Sequence, residues 1–176
     1  VMNKQEIQEL SDEEWAAVHN GLMDAIGQLT DFRKQEGKAL EKKLHEKIAN
    51  IYQLMEDVAP YEKERIDKIR ERITEALEKT LSVDYDKNRL EQELIYYIEK
   101  LDINEEKQRL NNHLKYFVNT LEGNSGQGKK LGFIAQEMGR EINTLGSKSN
   151  HAEIQKIVVQ MKDELEQIKE QILNVL

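Results

Sequence analysis

The sequence contains no cysteine, a single proline and few aromatic residues among its 176 positions. Without cysteine there is no disulfide framework, thiolate metal site or cysteine nucleophile, so any metal must be held by carboxylate, histidine or backbone oxygen. No run approaches the roughly 18 consecutive apolar residues that a membrane span needs. We therefore expect a protein with no membrane segment and a cytoplasmic location.

What the chain does contain is charge, which makes up 34% of its residues, and an abundance of Glu, Lys, Leu, Ile and Gln. This is the composition of long helices, and it argues against β architectures. The net charge of -8 disfavours a general polyanion binder, because Lys and Arg make the phosphate contacts. Residues 123–150, however, hold four basic and two acidic residues, so this stretch is +2 and the remainder is -10. Such a stretch is typical of a nucleic-acid contact and equally of a solvated helix face.

Apolar residues recur at helical spacing along most of the chain and predict an all-α fold, with long helices in antiparallel hairpins or a bundle. Ser11 with Glu14, and Asp102 with Glu105, are spaced as capping boxes that begin helices. Pro60 predicts the end of the first long helix, because the residue before a proline is pushed out of the helical region.

The last apolar stripe, from Ile154 to Val175, is spaced 4-3-4-3-4-3. This heptad predicts a coiled-coil-like C-terminal helix, whose partner helix lies in the same chain or in a second subunit. The glycine-rich segment 123–128 suggests a division of the chain. Residues 1–122 then form helical hairpins or an arm, and residues 123–176 form a further helix and the heptad helix.

Three groups of residues could carry chemistry. Gly123, Gly128 and Lys129 match most of a phosphate-binding P-loop, but Lys130 occupies the position of the required Ser or Thr and the segment follows a helix, so a flexible loop is the better interpretation. Even so, a glycine-rich turn that leads two lysines into a helix N-terminus could bind a phosphate.

The second group is Glu137 and Glu141, which lie one turn apart with Arg140 between them and could share a divalent cation or simply be solvated. The third is Glu106, Arg109 and His113 on one helical face. In this group a carboxylate could orient a histidine for proton transfer, or the residues could form a surface ion pair.

Several stretches resemble the YicC/YloC family of bacterial endoribonucleases, in the family's order and over essentially the whole chain. The most specific is the run GKKLGFIAQEMGREINTLGSK at residues 128–148. The others are residues 33–37, 89–93, 102–106 with Arg109, Leu110 and His113, and 166–174. The resemblance is to the C-terminal part of the family only, so we expect the chain to be a fragment that lacks the N-terminal domain.

The resemblance implies a cytoplasmic, stress-induced endoribonuclease that cleaves single-stranded RNA with a divalent metal cation, manganese or magnesium. It also implies a homo-oligomer, a hexameric ring in the intact protein. The family pattern marks Arg89, Glu93, Asp102, Glu105, Glu106, Arg109, His113, Lys130, Gln136, Glu137, Arg140, Glu141, Asn143, Ser147 and Lys148. Gly132 and Gly139 depart from it, standing where Asp and Asn are usual.

Roles follow as a hypothesis, since metal-assisted RNA cleavage needs carboxylates for the cation, a proton-transfer group and cations for the phosphate. Catalysis is assigned to His113, Glu137 and Glu141, and metal binding to Glu106, Glu137 and Glu141. Phosphate binding is assigned to Arg109, Lys130, Arg140 and Lys148. The alternatives are a non-catalytic module for RNA binding and oligomerisation, whose activity requires the missing domain, and a structural coiled-coil adaptor.

Overall fold

The computed structural model describes residues 11–80, 87–123 and 126–175, with side chains for all of these except 63, 65, 66, 76–80, 87–90, 93, 94 and 98. The described residues form six helices and no strand, which confirms the predicted all-α class. The helices are α1 (Asp12–Glu56), α2 (Ala59–Thr80), α3 (Lys87–Lys100), α4 (Asn104–Leu121), α5 (Gly128–Lys148) and α6 (Ala152–Ile172). None of the described helices has the length and apolar character to cross a membrane.

The chain divides into two compact units, residues 1–40 and 41–176. The division predicted at residues 122 and 123 from the glycine-rich segment falls inside the second unit, where the helices on either side of that segment pack together. The two units are described separately below.

Within the described residues, the first unit is the N-terminal part of α1, which begins with the predicted capping box. The Glu14 amide donates to Ser11 Oγ (3.2 Å), and the Ser11 amide donates to Glu14 Oε2 (2.9 Å). These hydrogen bonds to the carboxylate lower the pKa of Glu14, with the backbone amide of Ser11 as the largest cause. Seven large apolar side chains of this unit are exposed: Trp15, Val18, Leu22, Met23, Ile26, Leu29 and Phe32.

The second unit is built around α4, α5 and α6, with α5 packed against both of the others. Each helix buries one apolar face. The α6 face comprises Ile154, Ile157, Val158, Met161, Leu165, Ile168 and Ile172. The heptad seam is therefore buried within this chain, against α5. On α1, four residues of the last turns are also buried: Leu44, Ile48, Ile51 and Met55.

Glycines on α5 allow α6 to approach closely. A Cβ atom placed on Gly146 would lie 2.9 Å from Val158 Cγ1, and one on Gly139 would lie 3.2 Å from Leu165 Cδ2. Since real Cβ contacts are almost never this short, a side chain at Gly146 would force the two helices apart. The backbone at Val175 lies equally close to the start of α5, because a Cβ on Gly128 would lie 2.6 Å from the backbone oxygen of Val175.

Two helix boundaries differ from the sequence prediction. Pro60 does not end α1; it lies in the first turn of α2, where its missing amide hydrogen is tolerated. The second capping box is not formed: Asp102 Oδ1 accepts from the Asn104 amide (3.1 Å), and Glu105 instead pairs with Arg109 one turn along α4. In a capping box Glu105 would accept from the Asp102 amide, but that amide donates to the Glu99 carbonyl instead (3.2 Å).

Candidate nucleic-acid interface

Helix α5 carries most of the predicted site residues, and its two faces have opposite characters. The inner face is apolar and includes Leu131, Ala135 and Met138. The outer face is exposed and carries Lys129, Phe133, Gln136, Arg140, Asn143 and Ser147. Spacings of three and four residues place these six side chains in one stripe along the helix. We call this stripe the α5 outer face.

The sequence predicts phosphate binding for Lys148 and metal binding for Glu106, but in the structure these two residues form an ion pair with each other. Lys148 Nζ lies 2.8 Å from Glu106 Oε1, so the end of α5 is joined to the first turn of α4. The Glu106 side chain is only 5% exposed and that of Lys148 is 30% exposed. A buried carboxylate needs such a partner, because removing an ion from water carries a penalty of several kcal/mol.

Arg109 and His113 lie on α4, as predicted, but they do not form a group with Glu106. The Arg109 guanidinium is exposed and pairs with Glu105. His113 is half-buried. Two of the three residues in this motif, Glu106 and Arg109, thus form ion pairs with residues outside the motif.

The predicted metal ligands are not brought together. Glu137 pairs with Arg140 (Oε1 to Nη1, 3.3 Å), Glu141 is buried, and Glu106 is held by Lys148. Within the part of the chain that the structure describes, no three His, Asp or Glu side chains are grouped closely enough to hold a metal ion. These residues alone do not fit a metal centre, so we derive no step through a metal.

Near the start of α5, Lys130 Nζ lies 4.8 Å from the centre of the Tyr116 ring on α4. A cation over an aromatic face is attracted by the ring quadrupole, so this contact joins the exposed sides of α4 and α5. A Cβ atom on Gly132, where the family pattern has Asp, would meet nothing within 4 Å. An aspartate could therefore be placed there without a clash.

Sequence reasoning missed a polar junction around His151, between α5 and α6. The His151 ring is almost fully buried, packs against the Tyr61 ring at a centroid distance of 5.4 Å, and its Nε2 lies 3.6 Å from Glu64 Oε2. The pKa of Glu64 is lowered, mainly by the hydrogen bond from Lys68 and to a smaller extent by His151. The nearby Ser149 Oγ is buried with no hydrogen-bond partner among the described residues. Because Tyr61 and Glu64 on α2 are far in the sequence from the connection that carries Ser149 and His151, no local pattern signals the junction.

Sequence reasoning also missed the exposed aromatic residues Tyr116 and Phe133. For Phe133 the sequence does contain a signal of this exposure. Phe133 falls outside the apolar stripe of Leu131, Ile134 and Met138, and a large aromatic residue off the buried face of its helix is a candidate contact residue.

Comparison with known proteins defines the class to which this arrangement belongs. The sequence profile of the family described as "Endoribonuclease YicC-like, C-terminal" matches residues 58–176. The chain is 34% identical to the protein named "Probable endoribonuclease YicC" of Clostridioides difficile, over 99% of this chain and 60% of the relative. It is 32% identical to the protein of the same name from Haemophilus influenzae, over 94% of this chain and 59% of the relative.

The chain therefore belongs to the YicC-like endoribonuclease family, as the resemblance of its motifs indicated. It spans about three fifths of the length of these two relatives.

Proposed function

We propose that this chain is the RNA-contacting helical part of an endoribonuclease that cleaves single-stranded RNA. Family membership supports the class of activity. The observation that carries the proposal for this chain is the α5 outer face, where Lys129 and Arg140 are exposed and no carboxylate lies in the stripe itself. In a chain of net charge -8, a face with this balance suits an RNA phosphate backbone.

The phosphate contacts are best assigned to Lys130 and Arg140. Arg140 is exposed, and its pairing with Glu137 is a surface ion pair worth at most about 1 kcal/mol, so a phosphate can displace the carboxylate. Lys148 is less suited, because its partner Glu106 is buried and depends on it. Arg109, like Arg140, lies in an exposed ion pair that a phosphate can displace, so its proposed phosphate role is kept. Glu106 and Lys148 then serve mainly to hold α4 against α5.

Catalytic roles for His113, Glu137 and Glu141 remain part of the proposal. His113 is half-buried on α4 and is the proposed proton-transfer group. We also propose that cleavage depends on manganese or magnesium, with part of the ligand set supplied from outside the described residues. A cytoplasmic location and a ring-like homo-oligomer complete the proposal.

The test is a cleavage assay with labelled single-stranded RNA, run with manganese, with magnesium and with EDTA, on this chain and on the Clostridioides difficile relative. Glu137→Gln and His113→Asn are the test variants, and Glu170→Gln on the exposed side of α6 is the matched control. Cleavage lost in EDTA and in both test variants supports the proposal. Near-normal rates in Glu137→Gln and His113→Asn would overturn these catalytic assignments.

A second candidate is a binding and assembly module that does not itself cleave RNA. The exposed apolar row on α1, from Trp15 to Phe32, favours it, because seven large apolar side chains on one short stretch are typical of a surface that another chain covers. Cleavage by the relative but not by this chain would support the module. In that case Leu22→Glu should lower the mass measured by sedimentation, whereas the same change at the isolated exposed Val159 should not.

A further inference from the structure

Two aromatic side chains of the α4–α5 surface lie next to cations. Tyr116 is 48% exposed and Phe133 is 58% exposed, on adjacent packed helices. Lys130 lies over the Tyr116 ring and is three residues before Phe133 on α5. Single exposed aromatic residues need no explanation, but two of them on packed helices, with a lysine over one ring and three residues before the other, are the composition of a single-stranded nucleic-acid site.

The charges around these rings favour a polyanion. Lys129 lies one turn before Phe133 on the α5 outer face, and Arg140 lies two turns after it, about 10 Å along the helix axis. The nearest carboxylate of α5 is that of Glu137, which lies one turn after Phe133, is half-buried and is paired with Arg140. Gln136 and Asn143 supply exposed amide groups in the same stripe.

Helix α3 offers a contrasting case. Tyr96 is 56% exposed, and Lys100 Nζ lies 5.8 Å from the centre of its ring. An exposed carboxylate, Glu99, lies three residues along the helix, and among the side chains of α3 that the structure describes the only basic one is Lys100. Aromatic–lysine contacts occur both on α3 and between α4 and α5, so these contacts do not distinguish the two surfaces. The charged residues around the aromatic side chains do distinguish them.

We propose that Phe133 and Tyr116 stack on bases of a single RNA strand, while Lys130 and Arg140 bind the phosphates of the same strand. This rests on the proposed function and adds how the strand is held. Stacking tolerates every base, because each base has a π face, so the surface binds unpaired RNA with little sequence preference. Paired RNA keeps its bases stacked on each other and is disfavoured.

The test separates stacking from phosphate binding by fluorescence anisotropy. The probes are a labelled single-stranded RNA and an abasic ribose-phosphate strand of the same length. Phe133→Ala and Tyr116→Ala should each weaken RNA binding by about 5- to 150-fold, since stacking of one base on an aromatic ring has that range of effect. Neither change should alter binding of the abasic strand, and Phe133→Trp should retain RNA binding.

Salt dependence gives the second readout. Lys130→Ala and Arg140→Ala should each reduce the slope of log Kd against log salt concentration by about 0.7, the value for one phosphate contact on a single strand. Phe133→Ala should leave this slope unchanged. Tyr96→Ala is the matched control and should leave both affinity and slope unchanged. Circular dichroism checks that each variant keeps its helix content.

The outcomes are distinguishable. If the two alanine variants at the aromatic positions bind RNA normally while Lys130→Ala still reduces the slope, stacking is refuted and the phosphate contacts of the proposed function stand. Equal weakening of RNA and abasic-strand binding by Phe133→Ala would also refute stacking. If the unaltered chain fails to bind RNA, the proposed RNA contact itself fails.

Discussion

The buried ion pair between Glu106 and Lys148 makes a prediction that separates a structural role from a functional one. Lys148→Met keeps the length and apolar stem of the side chain but leaves the Glu106 carboxylate buried without its ammonium partner. Loss of one member of a fully buried pair costs about 3–5 kcal/mol. The Lys148 side chain is 30% exposed, so water can partly replace it, and we expect a loss of about 2–3 kcal/mol.

The reverse change should cost less. Glu106→Gln removes the charge at the buried end, and the remaining ammonium can turn to water along its flexible stem, so we expect a loss of about 1 kcal/mol. The double variant Glu106→Gln/Lys148→Met should recover most of the stability lost in Lys148→Met, because no unpaired charge remains buried. Lys148→Met should therefore be the least stable of the three variants, and this order of stability identifies the ion pair.

Urea unfolding of the 176-residue chain, followed by circular dichroism, measures these differences. A loss of 2–3 kcal/mol corresponds to a decrease in Tm of roughly 5–10 °C for a protein of this size. RNA binding by the double variant should remain close to that of the unaltered chain. Normal stability of Lys148→Met together with loss of RNA binding would refute the structural role and restore Lys148 as a phosphate contact.

Two further predictions concern α5 and the start of α1. Gly146→Ala should destabilise the chain by about 1–3 kcal/mol because of overpacking against Val158, whereas Gly132→Ala, with nothing near its Cβ, should stabilise it by up to about 1 kcal/mol. Both changes are measured from the midpoint of denaturant unfolding. Equal shifts of the midpoint in the two variants would contradict the close approach of α6 to Gly146. The lowered pKa of Glu14 means that the first turn of α1 is more stable above the unfolded value of 4.5 and loses this contribution as the pH falls through the folded pKa. The protection factors of the amides in that turn, which correct for the slower intrinsic exchange at low pH, should therefore fall on acidification in the unaltered chain and should not fall in Glu14→Gln, which has no carboxylate to protonate.

Much of the fold could be predicted from periodicity, because each helix has to bury a stripe of its own residues. The heptad of α6 and the inner face of α5 are examples, since Ile154, Leu165, Leu131 and Met138 are all buried where their spacing placed them. The spacing could not say which helix covers α6. That choice depends on Gly146 and the close approach of α5, which a repeat pattern does not encode.

The site was harder to predict, because charged side chains pair with residues that are close in the folded structure but distant in the sequence. Glu106 and Lys148 were assigned to metal and phosphate from the motifs that contain them, but the packing of α4 on α5 brings them together. Glu105 does not cap α4, because the Asp102 amide that it would bind donates to the Glu99 carbonyl at the end of α3. Arg89 was marked by the resemblance, as was Glu93, and both side chains lie outside the described residues.

The contact of Val175 with Gly128 has a practical consequence for any experiment that uses a tag. The backbone at Val175 lies against the first residue of α5, next to Lys129 and Lys130. Residues appended after the C-terminus therefore emerge beside the surface proposed to hold RNA. An acidic tag there would compete with the phosphate backbone for these lysines and lower the measured affinity, so binding assays should use a tag that is removed or one placed at the other end of the chain.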